Sequence, residues 1–264
     1  MDNFKHKKSF GQNFINDNSV IENIIKYSSI DRDTLVIEVG PGMGVLSEKI
    51  VSLCGNAILF EIDNRLSPII KKRLSGYDNY ELIIEDFLKV NVNDYIKKYN
   101  YKKIYFVANL PYYITTTIVN KIISEVYPDR IVVMVQNEVA DRFSAPVGSK
   151  DYGYISVILN SYYDIKKLFK VNREKFTPVP NVDSAVILMD KNDKITGSRT
   201  NFNKLVSDSF KHKRKNLKNN LILGYDLNSI NCILEEYGLD VNCRAENISC
   251  DIFIKLSSSN IYMN

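Results

Sequence analysis

The chain of 264 residues has a hydrophobic content of 45%, a charged content of 25% and a formal net charge of +4, as expected of a globular protein with one full domain and a smaller one. No segment approaches the roughly 18 apolar residues of a membrane span, and the basic start lacks the apolar region of a secretory signal, so we expect a cytoplasmic protein. Four cysteines without a CxxC pair and only two histidines argue against a zinc site and against a disulfide framework.

Apolar runs alternate with amphipathic stretches over the first 190 residues. Five runs predict strands, at 35–39, 57–61, 80–84, 103–108 and 130–135. They are apolar at nearly every position, which is typical of a parallel sheet covered on both faces. Between them lie four segments whose apolar residues have helical spacing, at 45–54, 65–74, 92–99 and 115–127. The alternation predicts an α/β, Rossmann-like fold.

The pattern changes in the last third of the chain. Residues 162–171 and 184–190 predict two antiparallel edge strands that close the sheet. The polar segment 190–201 resembles a linker, and the helical patterns after it, at 202–223, 227–239 and 246–258, contain no intervening strand. We therefore expect a catalytic domain over 1–190, beginning with a basic arm and helix over 1–28, and a small all-helical domain over 191–264.

The first predicted strand ends in EVGPGMG, which places Glu38 before Gly40, Gly42 and Gly44. Glycines between a strand and a helix let the backbone approach a ligand closely. A dinucleotide site spaces its glycines G-x-G-x-x-G, whereas the third glycine here comes one residue early. This spacing is typical of S-adenosylmethionine sites; the alternative is a tight turn without a ligand.

Acidic residues follow the next two strands. Glu61 ends the second strand, where a carboxylate can accept hydrogen bonds from both ribose hydroxyls. Asp86 follows the third strand and is placed to accept from an adenine amino group, with Phe87 beside the ring, although Asp86 alone fits a helix cap equally well. Because parallel strands end at one edge of the sheet, these residues predict a single nucleoside site.

The fourth strand ends in NLPYYITT, at 109–116. The Asn109 side chain and the Leu110 carbonyl are suited to accept both N–H groups of an adenine amine, which favours the localised lone pair of the transition state. Pro111 shapes the turn without adding a donor, and Tyr112 is suited to stack on the base. A simple proline turn is the alternative.

Two further aromatic residues are candidates for the target-base site. Phe176, before the proline-rich turn in FTPVPNVDSAV, is predicted to stack on the base opposite Tyr112, although an aromatic residue at such a place is more often part of the core. Tyr113 is interpreted as a packing residue and not as a contact.

Positive charge is concentrated in SFKHKRKNLKNNL, interpreted as a basic helix at 209–221. A second basic group, at Lys5, Lys7 and Lys8, lies near the start of the chain. A basic helix is often only a solvated face, but two clusters on a mildly basic protein predict a surface that binds RNA phosphates without reading its bases. The candidate residues are Lys211, Lys213, Arg214, Lys215 and Lys218.

Seven motifs together resemble the ribosomal RNA adenine N6-dimethyltransferases, in particular the branch that acts on small-subunit rRNA. They are KKSFGQNFIND, EVGPGMG, NLPYYITT, QNEVADRF, GSKDYGYISV, FTPVPNVDSAV and FKHKRKNLKNNL, and they extend over nearly the whole chain. The resemblance implies a class I methyltransferase domain followed by a helical domain. It also implies methylation of two adjacent adenosines near the 3′ end of small-subunit rRNA, within an immature small ribosomal subunit.

The resemblance also implies site residues. It assigns S-adenosylmethionine contacts, without a metal, to Asn13, Ile15, Gly40, Glu61, Asp86 and Asn109, and it supports the roles of Asn109, Leu110, Pro111, Tyr112 and Phe176. Two positions depart from the family: Tyr113 replaces a usual asparagine, and Thr117 stands where proline is common. Both departures affect the shape of the loop rather than the groups assigned to the chemistry.

Three alternatives remain. Erm-type enzymes, which methylate large-subunit rRNA and confer macrolide resistance, share the motifs of the catalytic domain, but GSKDYGYISV and the basic segment fit the small-subunit branch better. A non-catalytic RNA-binding relative is opposed by the intact NLPY and Glu61, and an NAD-linked dehydrogenase by the glycine spacing. Nothing in the sequence indicates an obligate dimer, so we expect a monomer.

Overall fold

The computed structural model describes residues 13–195 and 197–263. The N-terminal basic group at Lys5, Lys7 and Lys8, and the first residues of KKSFGQNFIND, lie outside the described residues. The chain divides into two compact units. Unit 1 contains the described residues up to Ala140 together with Lys166–Asp190, and unit 2 contains Asp141–Ile165 together with the residues from Lys191 onward.

A seven-stranded sheet forms the centre of unit 1, and two very short strands form a separate pair. In chain order the strands are β1 (Phe14–Ile15), β2 (Thr34–Val39), β3 (Asn56–Phe60), β4 (Tyr80–Ile83), β5 (Lys103–Asn109), β6 (Arg130–Gln136), β7 (Tyr163–Val171), β8 (Phe176–Thr177) and β9 (Ser184–Lys191). The large sheet has the order β4-β3-β2-β5-β6-β9-β7. The strands from β2 to β6 are parallel, and β9 is antiparallel to β6.

The order of the strands locates a binding crevice. From β2 the chain proceeds outward to β3 and β4, and it then returns to the other side of β2 to add β5 and β6. At such a reversal the loops after the two central strands diverge and leave a crevice at their carboxyl ends. Those two strands are β2, which precedes the glycine loop, and β5, which precedes NLPY. The predicted α/β fold is confirmed.

The helices beginning in the first unit are α1 (Asn18–Ser28), α2 (Val45–Leu53), α3 (Ser67–Arg73), α4 (Asn93–Ile96), α5 (Thr115–Glu125) and α6 (Asn137–Phe143). The α1 helix begins where the Asp17 carboxylate accepts a hydrogen bond from the Ser19 N–H at 2.8 Å, satisfying one of the free amides of the first turn. Its apolar face, with Ile21 and Ile24, is buried in one core cluster with Val36 of β2 and Val132 of β6.

Unit 2 is built around α7 (Tyr154–Tyr162), α8 (Arg199–Ser209), α9 (Leu217–Leu221), α10 (Leu227–Glu235) and α11 (Cys250–Ser257). The extent of unit 2 differs from the predicted helical domain. Residues 141–165 belong to unit 2, whereas the sequence predicts that they are part of the catalytic domain. Hydrogen bonds explain the difference: the Tyr152 hydroxyl donates to the Ile248 carbonyl at 2.9 Å, and the Tyr162 hydroxyl to the Asn203 side chain at 2.8 Å.

The basic segment is not the single helix that the sequence predicts. The α8 helix ends at Ser209 and α9 begins at Leu217, so four of the five candidate cations lie in the turns between them. The Asn216 side chain accepts from the Asn219 N–H and caps α9, while the Asn220 amide donates to the Ser209 carbonyl at 2.8 Å. Asparagine side chains that bind nearby backbone in this way compete with continuous helix.

Among the described residues, no helix is long and apolar enough to cross a lipid bilayer.

Candidate functional site

A cavity of about 470 Å³ opens at the carboxyl edge of the sheet in unit 1, which is within the range of small-molecule sites. Every residue assigned from the sequence to the cofactor or to the chemistry, except Phe176, lines it: Asn13, Ile15, Gly40, Gly42, Glu61, Asp86, Asn109, Leu110, Pro111 and Tyr112. The cavity therefore brings together residues that are as much as 99 positions apart, from Asn13 to Tyr112.

Two glycines of the loop after β2 line the cavity. Gly40 and Gly42 have φ angles of +75° and +60°, a region that side-chain-bearing residues rarely adopt. A Cβ atom at Gly42 would lie 2.7 Å from the Phe14 ring. Because Gly42 carries no side chain, its N–H reaches the Glu61 carboxylate at 3.2 Å and Phe14 packs directly on the loop.

Glu61 follows β3 and is 4% exposed. One carboxylate oxygen accepts from the Asp63 N–H at 2.9 Å and the other from the Gly42 N–H. Burial raises the pKa of the Glu61 carboxyl, and these two backbone donors oppose that rise. A carboxylate has about four lone-pair sites, so Glu61 keeps acceptor capacity for ligand hydroxyl groups beyond its backbone donors.

Glu38, the first residue of the glycine motif, is a second buried acid that lines the cavity. The Ser47 hydroxyl donates to its carboxylate at 2.6 Å. Burial raises the pKa of the Glu38 carboxyl to about 8, the Ser47 hydrogen bond lowers it, and the nearby Glu61 raises it further. Glu38 is therefore mostly protonated at neutral pH, a property that the motif does not reveal.

This raised pKa predicts a pH-dependent stability. The folded protein binds more protons than the unfolded chain between the ordinary carboxyl pKa of 4.5 and about 8, so the free energy of unfolding falls as pH rises through that window. A single group contributes at most about 1.4 kcal/mol per pH unit. Urea unfolding of the ligand-free protein at several pH values is expected to show this slope, and Glu38→Gln to reduce it.

Glu22→Gln is the matched control, because Glu22 is an exposed carboxylate on α1. It is expected to leave the slope unchanged. Equal slopes in the wild type and Glu38→Gln would show that Glu38 does not titrate in this window.

Asp86 and two aromatic rings form the side of the cavity next to β4. One Asp86 oxygen accepts from the Leu88 N–H at 3.0 Å, so Asp86 organises the following turn as well as lining the cavity. The Phe87 ring lies edge-on to the Phe60 ring, with centroids 5.2 Å apart. Together they provide an apolar wall and a carboxylate, which suits a purine with an exocyclic amine.

The NLPY turn is fixed by backbone hydrogen bonds. The Asn109 side-chain amide donates to the Asn13 carbonyl at 3.3 Å, and the Leu110 N–H donates to the Met134 carbonyl at 3.1 Å. The Thr115 hydroxyl donates to the Pro111 carbonyl at 2.9 Å and joins the turn to the start of α5. With its amide nitrogen bound to Asn13, Asn109 keeps its side-chain oxygen as an acceptor.

Tyr112 lies in a short 3₁₀ helix, Tyr112–Ile114, at the rim of the cavity. Its hydroxyl is 2.6 Å from that of Ser184, the first residue of β9. Burial raises the pKa of the Tyr112 phenol and the Ser184 hydrogen bond opposes the rise. The phenol is therefore neutral at physiological pH and is not a strong base. No pattern in the sequence connects Ser184 with Tyr112.

The structure places the other two aromatic candidates differently from their predictions. Phe176 is 1% exposed and belongs to the hydrophobic core, so in this conformation it presents no ring face to a base. Successive strand residues point to opposite faces, and in β8 it is Thr177 that lines the cavity. Tyr113, interpreted as a packing residue, is instead 57% exposed at the rim of the cavity.

Comparisons with known proteins agree with this geometry. The family model described as ribosomal RNA adenine dimethylase matches residues 3–260. The chain is 43% identical to the ribosomal RNA small subunit methyltransferase A of Clostridioides difficile (strain 630), over 97% of this chain and 91% of that protein.

Two solved structures resemble the fold over most of its length. The crystal structure of a dimethyladenosine transferase from Plasmodium falciparum superimposes with a TM-score of 0.76 at 25% identity, covering 92% of this chain and 95% of that one. The structure of the 23S rRNA methyltransferase ErmE gives a TM-score of 0.71 at 24% identity, with coverage of 93% and 98%. The second likeness concerns the fold alone.

Proposed function

The chain belongs to the ribosomal RNA adenine dimethylase family, and from that premise we propose that it transfers methyl groups from S-adenosylmethionine to the N6 amines of two adjacent adenosines near the 3′ end of small-subunit rRNA. The observation that carries the proposal is the single cavity that joins the glycine loop, Glu61 and the Asn109–Tyr112 turn. The Clostridioides difficile relative, named for the small subunit, supports this choice of RNA.

The residues that line the cavity fit S-adenosylmethionine. Gly40 and Gly42 adopt the positive φ angles that the loop requires, Gly42 also leaves room for Phe14, and Glu61 keeps acceptor capacity suited to the two ribose hydroxyls. Asp86 and Phe87 suit the amine and the face of the adenine. When bound, the cofactor supplies a sulfonium methyl group, a reactive electrophile that needs positioning more than activation.

The protein's part in the chemistry is to prepare the target amine. The lone pair of an adenine amine is delocalised into the ring, which makes the nitrogen a poor nucleophile. The Asn109 side-chain oxygen and the Leu110 carbonyl accept the two N–H groups and favour the pyramidal nitrogen of the transition state. The hydrogen bond from the Asn109 amide to Asn13 holds the acceptor in place before the substrate arrives.

Tyr112 provides the surface for the target base. A base taken out of its helix or loop loses its stacking partners, and an aromatic ring at the rim of the cavity replaces one of them. The hydrogen bond between the Tyr112 and Ser184 hydroxyls restrains the ring, so less side-chain freedom is lost when the base binds.

Lys211, Lys213, Arg214, Lys215 and Lys218 are proposed to bind RNA phosphates from unit 2. All five are exposed. Lysine and arginine side chains that neutralise phosphates release counterions, which makes binding dependent on salt concentration.

Neutralising Lys213 and Arg214 to glutamine is therefore expected to weaken binding to undermethylated small ribosomal subunits and to flatten its salt dependence. The log–log salt slope should fall by about 1 to 2, since each lost phosphate contact removes about 0.7–0.9. The control is Lys71→Gln with Lys72→Gln, an equal change of charge at two exposed residues of α3. Equal slopes for the wild type and the Lys213/Arg214 variant would show that these cations do not contact RNA.

We further propose that the protein works as a cytoplasmic monomer on an immature small subunit, without a metal. Within residues 13–195 and 197–263, no three or more His, Cys, Asp or Glu side chains are grouped to hold a metal ion. A sulfonium methyl donor does not require one.

Labelled S-adenosylmethionine tests the function directly. The protein is incubated with undermethylated small subunits and, separately, with protein-free large-subunit rRNA, and the modified bases are mapped. Dimethyladenosine at two neighbouring adenosines of the small subunit is expected. Label on the large-subunit RNA alone would place the protein with the Erm-type enzymes, and cofactor binding without transfer to either RNA would favour a different target or a binding function.

A further inference from the structure

Two consecutive tyrosines at the rim of the cavity point in different directions. Tyr112 and Tyr113 are the first two residues of a 3₁₀ helix, which has three residues per turn, so their side chains diverge by about 120°. One binding partner therefore cannot use both rings in the same way.

The polar groups that influence the two phenols lie on opposite sides of β5. The Tyr112 hydroxyl meets Ser184 at the start of β9. Tyr113 lies close enough to Asp86, which follows β4, for that carboxylate to add to the rise in the pKa of the Tyr113 phenol that burial causes. In the sheet, β4 lies on one side of β5 and β9 on the other.

The side next to β4 holds the groups suited to the adenosine end of the cofactor. Asp86 and Phe87 follow that strand, and Ile62, which follows β3, is 44% exposed and lines the same cavity. Tyr113 completes this side with a ring that is 57% exposed. Stacking of an exposed aromatic ring on a bound purine stabilises the complex, because it removes apolar surface of both partners from water.

We propose that Tyr113 is a cofactor-contact residue whose ring covers the adenosine end of S-adenosylmethionine, while Tyr112 serves the target base. The inference rests on the proposed function, because it assumes that this cavity binds the cofactor. It gives a role to the position where this chain departs from the asparagine that is usual in the family. S-adenosylhomocysteine, the product, has the same adenosine and is held by the same ring.

Exposure alone does not support this role, and the chain provides a comparison. Tyr101 is 41% exposed but is not among the residues that line the cavity. Tyr101→Asn is therefore the matched control for Tyr113→Asn, since both replace an exposed tyrosine by the same residue.

The test is isothermal titration of the full-length protein with S-adenosylmethionine and, separately, with S-adenosylhomocysteine. For Tyr113→Asn we expect both dissociation constants to rise about three- to tenfold, as for the loss of one aromatic stacking contact. Tyr113→Phe keeps the ring and is expected to remain within about twofold of the wild type. Tyr101→Asn should match the wild type, and all variants should unfold at similar temperatures without ligand.

Binding to undermethylated small subunits supplies the second readout. Tyr113→Asn is expected to bind them as the wild type does, in the absence of cofactor. Unchanged cofactor affinity in Tyr113→Asn would overturn the inference, as would a loss in Tyr113→Phe as large as that in Tyr113→Asn, or a loss confined to the RNA. A wild-type protein that bound neither cofactor would overturn the proposed function as well, which separates the two failures.

Discussion

Replacing Asn109 by alanine is expected to lower methyl transfer by about 10²–10³-fold while the protein still folds and binds S-adenosylmethionine. The magnitude is that of removing one preorganised hydrogen-bonding group from a transition state. Asn109 contributes little to stability, because its side chain makes one hydrogen bond of 3.3 Å to the Asn13 carbonyl at the partly exposed edge of the sheet. The loss should therefore appear in kcat more than in cofactor affinity.

The measurement combines single-turnover methyl transfer to undermethylated small subunits with titration of the cofactor. Asn100→Ala, at an exposed position before β5, is the control and should keep full activity. Full activity in Asn109→Ala would reject the role assigned to its side-chain oxygen. A loss of cofactor binding equal to the loss of activity would instead make Asn109 a residue of the cofactor site alone.

Gly42→Ala is expected to weaken S-adenosylmethionine binding by more than about tenfold. The new Cβ would lie 2.7 Å from the Phe14 ring, and the φ angle of +60° is itself unfavourable for alanine by about 1–2 kcal/mol. Either the loop or Phe14 must move. Movement of the loop takes the Gly42 N–H away from the Glu61 carboxylate, the group suited to the ribose.

Substitutions at two other glycines distinguish the effect of backbone strain from the effect of the collision with Phe14. Gly148 has a φ angle of +77° with no atom within 4 Å of an added Cβ, so Gly148→Ala carries the backbone strain without the collision. Gly76 has neither feature. Titration of cofactor should find both variants equal to the wild type, with a lower melting temperature for Gly148→Ala. If Gly42→Ala also bound cofactor normally, the close packing of Phe14 on the loop would not matter for the site.

The sheet could be predicted because strands buried on both faces are apolar at most of their positions. A strand such as β2, buried at all six positions, is apolar at four of them, and its two polar residues are its first residue, Thr34, and Glu38. The pairing of β1 with β8 could not be predicted, because a strand of two residues is too short to show a periodic or apolar pattern. The break in the basic segment was missed for a different reason: Asn216 caps the start of α9 and Asn220 binds the last carbonyl of α8, and composition does not display these side-chain contacts.

Much of the cavity could also be predicted, since parallel strands bring their carboxyl ends to one edge whatever their separation in sequence. The direction of individual side chains could not. Whether Phe176 or Thr177 faces the cavity depends on which face of β8 is turned toward it. The pairing of Glu38 with Ser47 depends on how α2 packs beneath the loop, which a single sequence does not specify.

The division of the chain also affects the order in which a newly made protein can complete its parts. Residues 141–165 are synthesised before the last strands of unit 1, but their partners Asn203 and Ile248 emerge only later. Until these partners are made, α7 lacks part of the protein surface against which most of its residues are buried in the complete chain. A fragment ending at residue 190 would keep this apolar helix permanently in that state, so the catalytic unit is not separable from the rest by a single cut.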